Sequence, residues 1–335
     1  MRILIDYHHN DLLLSLHYLL EHRLGHELYV LWGKDWFNKG LWLIGRPYTT
    51  EIQTAKQFLE FDTPPDGSER LKSYFADTCI IKKMTWEEFN INLPDIIMVS
   101  YIDHIYPYWQ LAKEKKIKYI IQIGNNWSAR MNFKYVPNLL ASTKPFDVPP
   151  GTNSIFYRQE FDLKLFSFGL PAKRENKISS FVQLFDHNPD KQWAYNLEKC
   201  LPEYQFNFYG QGSRNGHIQG HKNLVKIMHE NKFGLHLKPG GDGMGHIIHN
   251  LFATGTVPIV KYEYYKNCLA GELMVDEQTC LFIDNLTPEE VAIKIKKYEG
   301  NKYLTLCTNA YQKFKETVDF DRDAENVKIF LQNLI

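Results

Sequence analysis

The feature that most limits how this chain can fold is a rhythm: a short apolar run, then a segment with helical spacing, then another apolar run. It repeats along one half of the sequence and begins afresh in the other. Strands covered on both faces read as continuous apolar stretches, and strands joined through helices lie parallel. In the first half, residues 1–7, 27–32, 95–100 and 118–123 read as strands, with shorter ones at 139–142 and 154–157. Residues 12–23 and 108–116 have helical spacing, and Gly25 stops the first, as glycine does past a helix C-terminus. Residues 33–86 are less regular and rich in Trp and Phe. Pro149, Pro150, Gly151, Gly169 and Pro171, followed by the charged run 173–177, mark a linker.

The second half resumes with strands at 178–185, 204–209, 233–237, 257–260 and 280–283, and helices at 191–200, 223–230, 245–253 and 263–269. Thr287, with Pro288 at the first helical position and Glu290 three residues on, is a capping box that opens another helix. Residues 323–334 form one more amphipathic helix. The expected fold is therefore α/β, with two doubly wound, Rossmann-like domains. The first spans 1–165 and the second 170–315, and a final helix within 316–335 packs back on the first. Ligands of such sheets bind at the carboxyl ends of the strands, and with two domains the expected place is the cleft between them.

Composition removes several classes of function. Lys and Arg total 39, as do Asp and Glu, so no overall field draws the chain to nucleic acid or an anionic membrane. Residues 1–150 are balanced too, with 17 basic and 17 acidic groups. The run 113–118, with four lysines, reads as the solvated face of a helix. No apolar run reaches the ~18 residues of a membrane span. The start, broken by Asp6 and two histidines, reads as a first strand and not as a signal peptide. Five cysteines, an odd number with no C-x2-C pair, point to reduced thiols and a cytoplasmic protein.

The segment 236–259 carries the most chemistry. A strand runs into Pro239-Gly-Gly-Asp-Gly-Met-Gly245, then a helix, then Gly255 and another strand. Gly241, Gly243 and Gly245 let a ligand come close to the backbone, and the helix start adds unpaired N–H groups suited to a diphosphate. A turn that only joins strand to helix would have the same composition. Asp242 and Asn250 bracket this anion site and can bond sugar hydroxyls on either side.

This segment resembles the donor-site signature of glycosyltransferases with the GT-B fold, above all the retaining nucleotide-sugar class. Pro239, Asp242-Gly-Met-Gly245, Asn250-Leu-Phe-Ala-Thr-Gly-Thr256 and Val257-Pro-Ile259 keep its spacing. The resemblance places Asp242 at the family's first glutamate, which contacts the transferred sugar, and Asn250 at the second, which holds the ribose. Asp242 keeps the charge with a shorter reach; Asn250 keeps hydrogen bonding and loses the charge. Gly210-Gln-Gly212 resembles the turn before the base-binding loop, with residues 217–221 near the base. Lys191 fits the family's diphosphate lysine, Leu184 stands near the position of its arginine, and Lys238 is the candidate replacement. The resemblance covers residues 178–299 and implies two domains facing across a cleft. It implies a UDP- or GDP-linked sugar as co-substrate and no required cofactor or metal.

On the acceptor side, His8, His9 and Asn10 follow the first strand, and Trp127 follows the strand 118–123 and can stack on a sugar or base. Asp103 and His104 follow the strand 95–100; Asp103 is a candidate general base and His104 a candidate for orienting a hydroxyl. The two histidines lack the further ligands that a metal needs. The head, residues 6–37, is similar to glycosyltransferase-like proteins of bacteria and tailed phages. Two acceptors follow: a glycan, or a hydroxymethylated pyrimidine in DNA. The alternatives are an epimerase of the same fold acting on the nucleotide-sugar, and a non-catalytic sugar- or nucleotide-binding protein.

Overall fold

The computed structural model describes residues 1–6, 10–31, 35–36, 41, 82–124, 132–142, 148–218, 220–239 and 244–334. Two compact units emerge. Unit 1 comprises Met1–Phe161 and Phe320–Ile335, and unit 2 comprises Asp162–Asp319.

In unit 1, β1 (Arg2–Ile5), α1 (Asn10–His17), β2 (Glu27–Leu31), β3 (Lys82–Met84), α2 (Trp86–Ile91), β4 (Ile96–Val99), α3 (Ile105–Lys115), β5 (Lys118–Ile123), β6 (Asn138–Ala141) and β7 (Asn153–Phe156) follow one another. The strands form a parallel sheet in the order β3-β2-β1-β4-β5-β6-β7. α1 continues as a π-helical turn over Tyr18–Arg23 and ends where Gly25 takes φ +64°. α2 has a capping box, Thr85 with Glu88. β3, within the irregular Trp-rich stretch, and α2, at its end and beyond, have no counterpart in the expected pattern.

Alternation along β1 shows why both faces of the sheet need cover. Ile3 and Ile5 pack with Leu16 and Leu20 of the α1 segment, while Leu4 joins Met84, Phe89 and Tyr108 on the other face.

In unit 2, β8 (Glu175–Ser180), α4 (Lys191–Cys200), β9 (Gln205–Phe208), α5 (Gly220–Glu230), β10 (Asn231–His236), α6 (His246–Thr254), β11 (Val257–Val260), β12 (Leu281–Phe282), α7 (Pro288–Lys296) and α8 (Asn301–Thr317) follow. All strands are parallel, in the order β12-β11-β10-β8-β9. Two expectations fail here. Residues 263–269 do not form an α-helix but part of two 3-10 turns, Tyr262–Tyr264 and Leu269–Leu273. The Asp284 carboxylate takes the N–H of Tyr262 and Glu263, and Gly271 lies so close to the Tyr265 carbonyl that a Cβ would stand 2.4 Å from it. The strand expected at 178–185 leaves the sheet after Ser180, and Leu184 within that stretch is left-handed at φ +55°.

The last helix, α9 (Phe320–Gln332), belongs to unit 1. Its Val327, Phe330 and Leu331 join Ile3, Ile96 and Leu140 on one face of the sheet, each burial stabilising by roughly 1.5–3 kcal/mol. Its acidic first turn is held electrostatically: Asp323 accepts from the Arg158 N–H at 3.0 Å, and Asp321 pairs with Arg23. Among the described residues no helix is long and apolar enough to cross a membrane.

Candidate active site

A doubly wound sheet leaves a crevice at the carboxyl edge where its strand order reverses, and ligands bind there. Each unit has one such place. In unit 1 it lies between β1 and β4; in unit 2 it lies between β8 and β10.

In unit 2, three loops meet at this edge. The loop after β8 is tied to the end of β10 by Asn188, whose Nδ2 donates to the Leu237 carbonyl at 2.6 Å. It is tied to the loop after β9 by Leu184 N–H to the Gln211 carbonyl (2.7 Å) and by Gln211 N–H to Gln183 Oε1 (2.6 Å). Gly210, at φ +142°, sits so close to the Val182 carbonyl that a Cβ would come within 2.6 Å. Gly212 continues the same turn. Leu184 therefore keeps a left-handed backbone, at a cost of about 1–2 kcal/mol, with its side chain 52% exposed.

Gly240 to Gly243, including Gly241, Asp242 and Gly243, lie outside the described residues. Lys238 is half-buried just past β10. Met244 is buried, and Gly245 caps α6 at φ +73°, where a Cβ would stand 2.7 Å from Ala270 Cβ. Asn250 lies one turn into α6, 2% exposed, and its Oδ1 has no hydrogen-bond partner among the described residues. A buried amide oxygen left without a donor costs about 1–3 kcal/mol, so something must repay its place.

Lys191, at the first position of α4, is 38% exposed and pairs with Asp186 at 3.2 Å. That contact and the Tyr195 hydroxyl hold the Asp186 carboxyl below the usual carboxylate range, the hydroxyl contributing most. Asp190 beside it is occupied by Lys261 at 2.5 Å and by the Tyr264 hydroxyl at 2.8 Å. His221, expected near a nucleobase, is buried and packs edge-on against Phe166.

In unit 1, His8, His9 and Trp127 lie outside the described residues, and Asn10 opens α1. Asp103 and His104 part company in a short 3-10 turn. Asp103 is exposed, whereas His104 is 1% exposed. The His104 Nδ1 lies 2.6 Å from Asp6 Oδ2. Asp6, just past β1, is itself gripped: Oδ1 accepts from the Ser100 N–H (2.6 Å) and hydroxyl (2.7 Å), and Oδ2 from the Tyr101 N–H (2.9 Å). Burial, with the Asp6 charge second, pushes the hydroxyl of neighbouring Tyr108 well up from its ordinary value. Asp6 was visible in the sequence only as a break in the apolar run; an acid at the end of a first parallel strand is the signal that points to it. Among the described residues no group of three or more His, Cys, Asp or Glu side chains is placed to hold a metal ion.

No family model and no curated protein matches the chain. Solved structures do. HepE of Anabaena in complex with UDP and glucose aligns over 99% of both chains at 10% identity, with a TM-score of 0.67. The sucrose-phosphate synthase of Thermosynechococcus elongatus covers 100% of this chain and 99% of its own at 14% identity and a TM-score of 0.65. An alpha-glucosyltransferase in complex with UDP and a 13-mer DNA covers 99% and 100% at 13% identity and a TM-score of 0.59. At such identities the likeness is one of fold: two parallel α/β units, the GT-B fold.

Proposed function

We propose that the chain is a glycosyltransferase that moves a sugar from a nucleotide-sugar to an acceptor hydroxyl, with the donor at the switch point of unit 2. The observation that carries this reading is Asn250. It is a buried amide with an unmatched oxygen, on the helix that follows the glycine-rich segment at the point where the strand order reverses. A ribose hydroxyl supplies the missing donor. The structures of like fold solved in complex with UDP support a uridine nucleotide.

In this reading the diphosphate lies on the backbone N–H groups of the turn and the first turn of α6. Charge grows on the leaving diphosphate, and preorganised donors stabilise it most where it grows. Lys238 and Lys191 supply cations. Lys191 must give up Asp186, which costs little, since an exposed pair is worth under about 1 kcal/mol. Asp242 contacts the transferred sugar. No metal is required, because the chain provides the positive charge. The acceptor hydroxyl belongs to a glycan or to a hydroxymethylated pyrimidine of DNA.

A panel of UDP- and GDP-sugars, each with oligosaccharide acceptors or hydroxymethylated DNA, tests this by release of free nucleotide. Acceptor-dependent release is expected. A changed sugar without nucleotide release is the epimerase outcome and contradicts transfer. Absence of binding to every nucleotide-sugar overturns the whole reading.

A further inference from the structure

The switch point of unit 1 holds a polar arrangement that the donor site does not use. Asp6 and His104 are 98 residues apart in sequence, on the loops after β1 and β4, the two strands between which the order reverses. Both side chains are buried, at 0% and 1% exposure. The carboxylate is fixed before the imidazole is counted, by two backbone N–H groups and a hydroxyl, from Ser100 and Tyr101. The imidazole ring is also hemmed in by the rings of Tyr101 and Tyr108, at 5.2 and 5.5 Å. Its other nitrogen, Nε2, is buried and has no hydrogen-bond partner among the described residues.

A carboxylate accepts and does not donate, so the nitrogen facing it carries the proton. In a neutral ring the other nitrogen then presents a lone pair. A buried lone pair without a donor costs about 1–3 kcal/mol, the same debt that Asn250 carries in unit 2.

We propose that Asp6 is a positioning residue, whose carboxylate holds the Nδ1–H of His104 and leaves Nε2 as the hydrogen-bond acceptor for a substrate hydroxyl at the switch point of unit 1. The nature of that hydroxyl rests on the glycosyltransferase reading; the tautomer does not. The hydroxyl is the acceptor's, so Asp6→Asn should raise the acceptor KM and leave UDP-sugar affinity unchanged; weakened UDP-sugar binding would overturn that assignment.

Asp6→Asn keeps the Ser100 contacts, gives up the bond from the Tyr101 N–H and turns an N–H towards Nδ1, so the ring must flip its tautomer. Losing the single hydrogen bond from the hydroxyl to Nε2 and facing that hydroxyl with an N–H should lower kcat/KM for the acceptor about 10–100-fold. Ser100→Ala removes the hydroxyl's two bonds to Asp6, one to the carboxylate and one to the carbonyl, and should cost about 3–10-fold in the same ratio.

The test is nitrogen NMR of histidine-labelled full chain, above the ordinary imidazole range, with His104 assigned by His104→Gln. A protonated Nδ1 and bare Nε2 are expected in the wild type, with the reverse in Asp6→Asn. A wild-type ring protonated at Nε2 overturns the proposal, and so does wild-type turnover in a folded Asp6→Asn. If Asp6→Asn does not fold, the wild-type spectrum and Ser100→Ala decide. Failure of every nucleotide-sugar to bind removes the transfer reading and leaves the tautomer result standing. Binding with an unaffected Asp6→Asn removes the role of Asp6 and leaves transfer standing.

Discussion

Both sheets reverse their order at one place, yet the two places are furnished differently. Unit 2 meets its crevice mainly with backbone: a glycine cap, a left-handed leucine, loops laced carbonyl to amide, and one buried amide side chain. Unit 1 meets its own with a carboxylate gripped by N–H groups and an imidazole gripped by the carboxylate. Backbone donors suit a diffuse anion such as a diphosphate, whatever sugar it carries. A fixed imidazole suits a single hydroxyl in a single place. In the proposed reading similar folds divide the labour, with grip in one unit and orientation in the other.

The comparison can be broken in several ways, and the largest effect lies away from both crevices. Arg174 is buried and bonds the carbonyls of Met228, Asn231 and Thr254 and the hydroxyl of Thr256, with no carboxylate among these partners. Met228 lies in the last turn of α5 and Thr254 ends α6, so one guanidinium answers two helix C-termini. Arg174→Met should cost about 3–5 kcal/mol of stability in denaturant unfolding, because several buried acceptors lose their donor at about 1–3 kcal/mol each. A loss within about 1 kcal/mol would show that these carbonyls find other donors.

Next is Asp242→Ala. If the sugar is held from unit 2, kcat should fall about 10²–10³-fold with the melting temperature unchanged. Unchanged turnover would move the transferred sugar elsewhere. Smaller again is Gly245→Ala, which puts a methyl against Ala270 at a positive φ and should cost about 1–3 kcal/mol of stability, read by thermal unfolding. Asn250→Ala should have the smallest effect. Nucleotide-sugar affinity should drop about tenfold in calorimetry, while stability stays within about 1 kcal/mol because no bond among the described residues is lost from Oδ1.

Much of the fold was legible because parallel strands covered on both faces write themselves as apolar runs. β5, α4 and β11 fall on the residues expected. The capping box at Thr287 and Glu290 also forms as read. The same signal was present at Thr85 and Glu88, but the aromatic stretch before it hid its meaning. What stayed illegible depends on distant partners. Arg174 reads as one charge in a linker run, and only the folded chain brings it to Thr256, 82 residues away. His104 reads as the companion of Asp103, and the fold gives it Asp6 instead. Lys191 reads as a free cation until Asp186 is seen beside it.

The division of labour rests on the nucleotide-sugar seating on unit 2, and amide NMR of the labelled full chain titrated with UDP-glucose tests it directly. The account predicts that the largest shifts fall on residues 183–191, 210–212 and 238–250, with UDP alone reproducing most of them. Shifts confined to unit 1, or none at millimolar ligand, would contradict it.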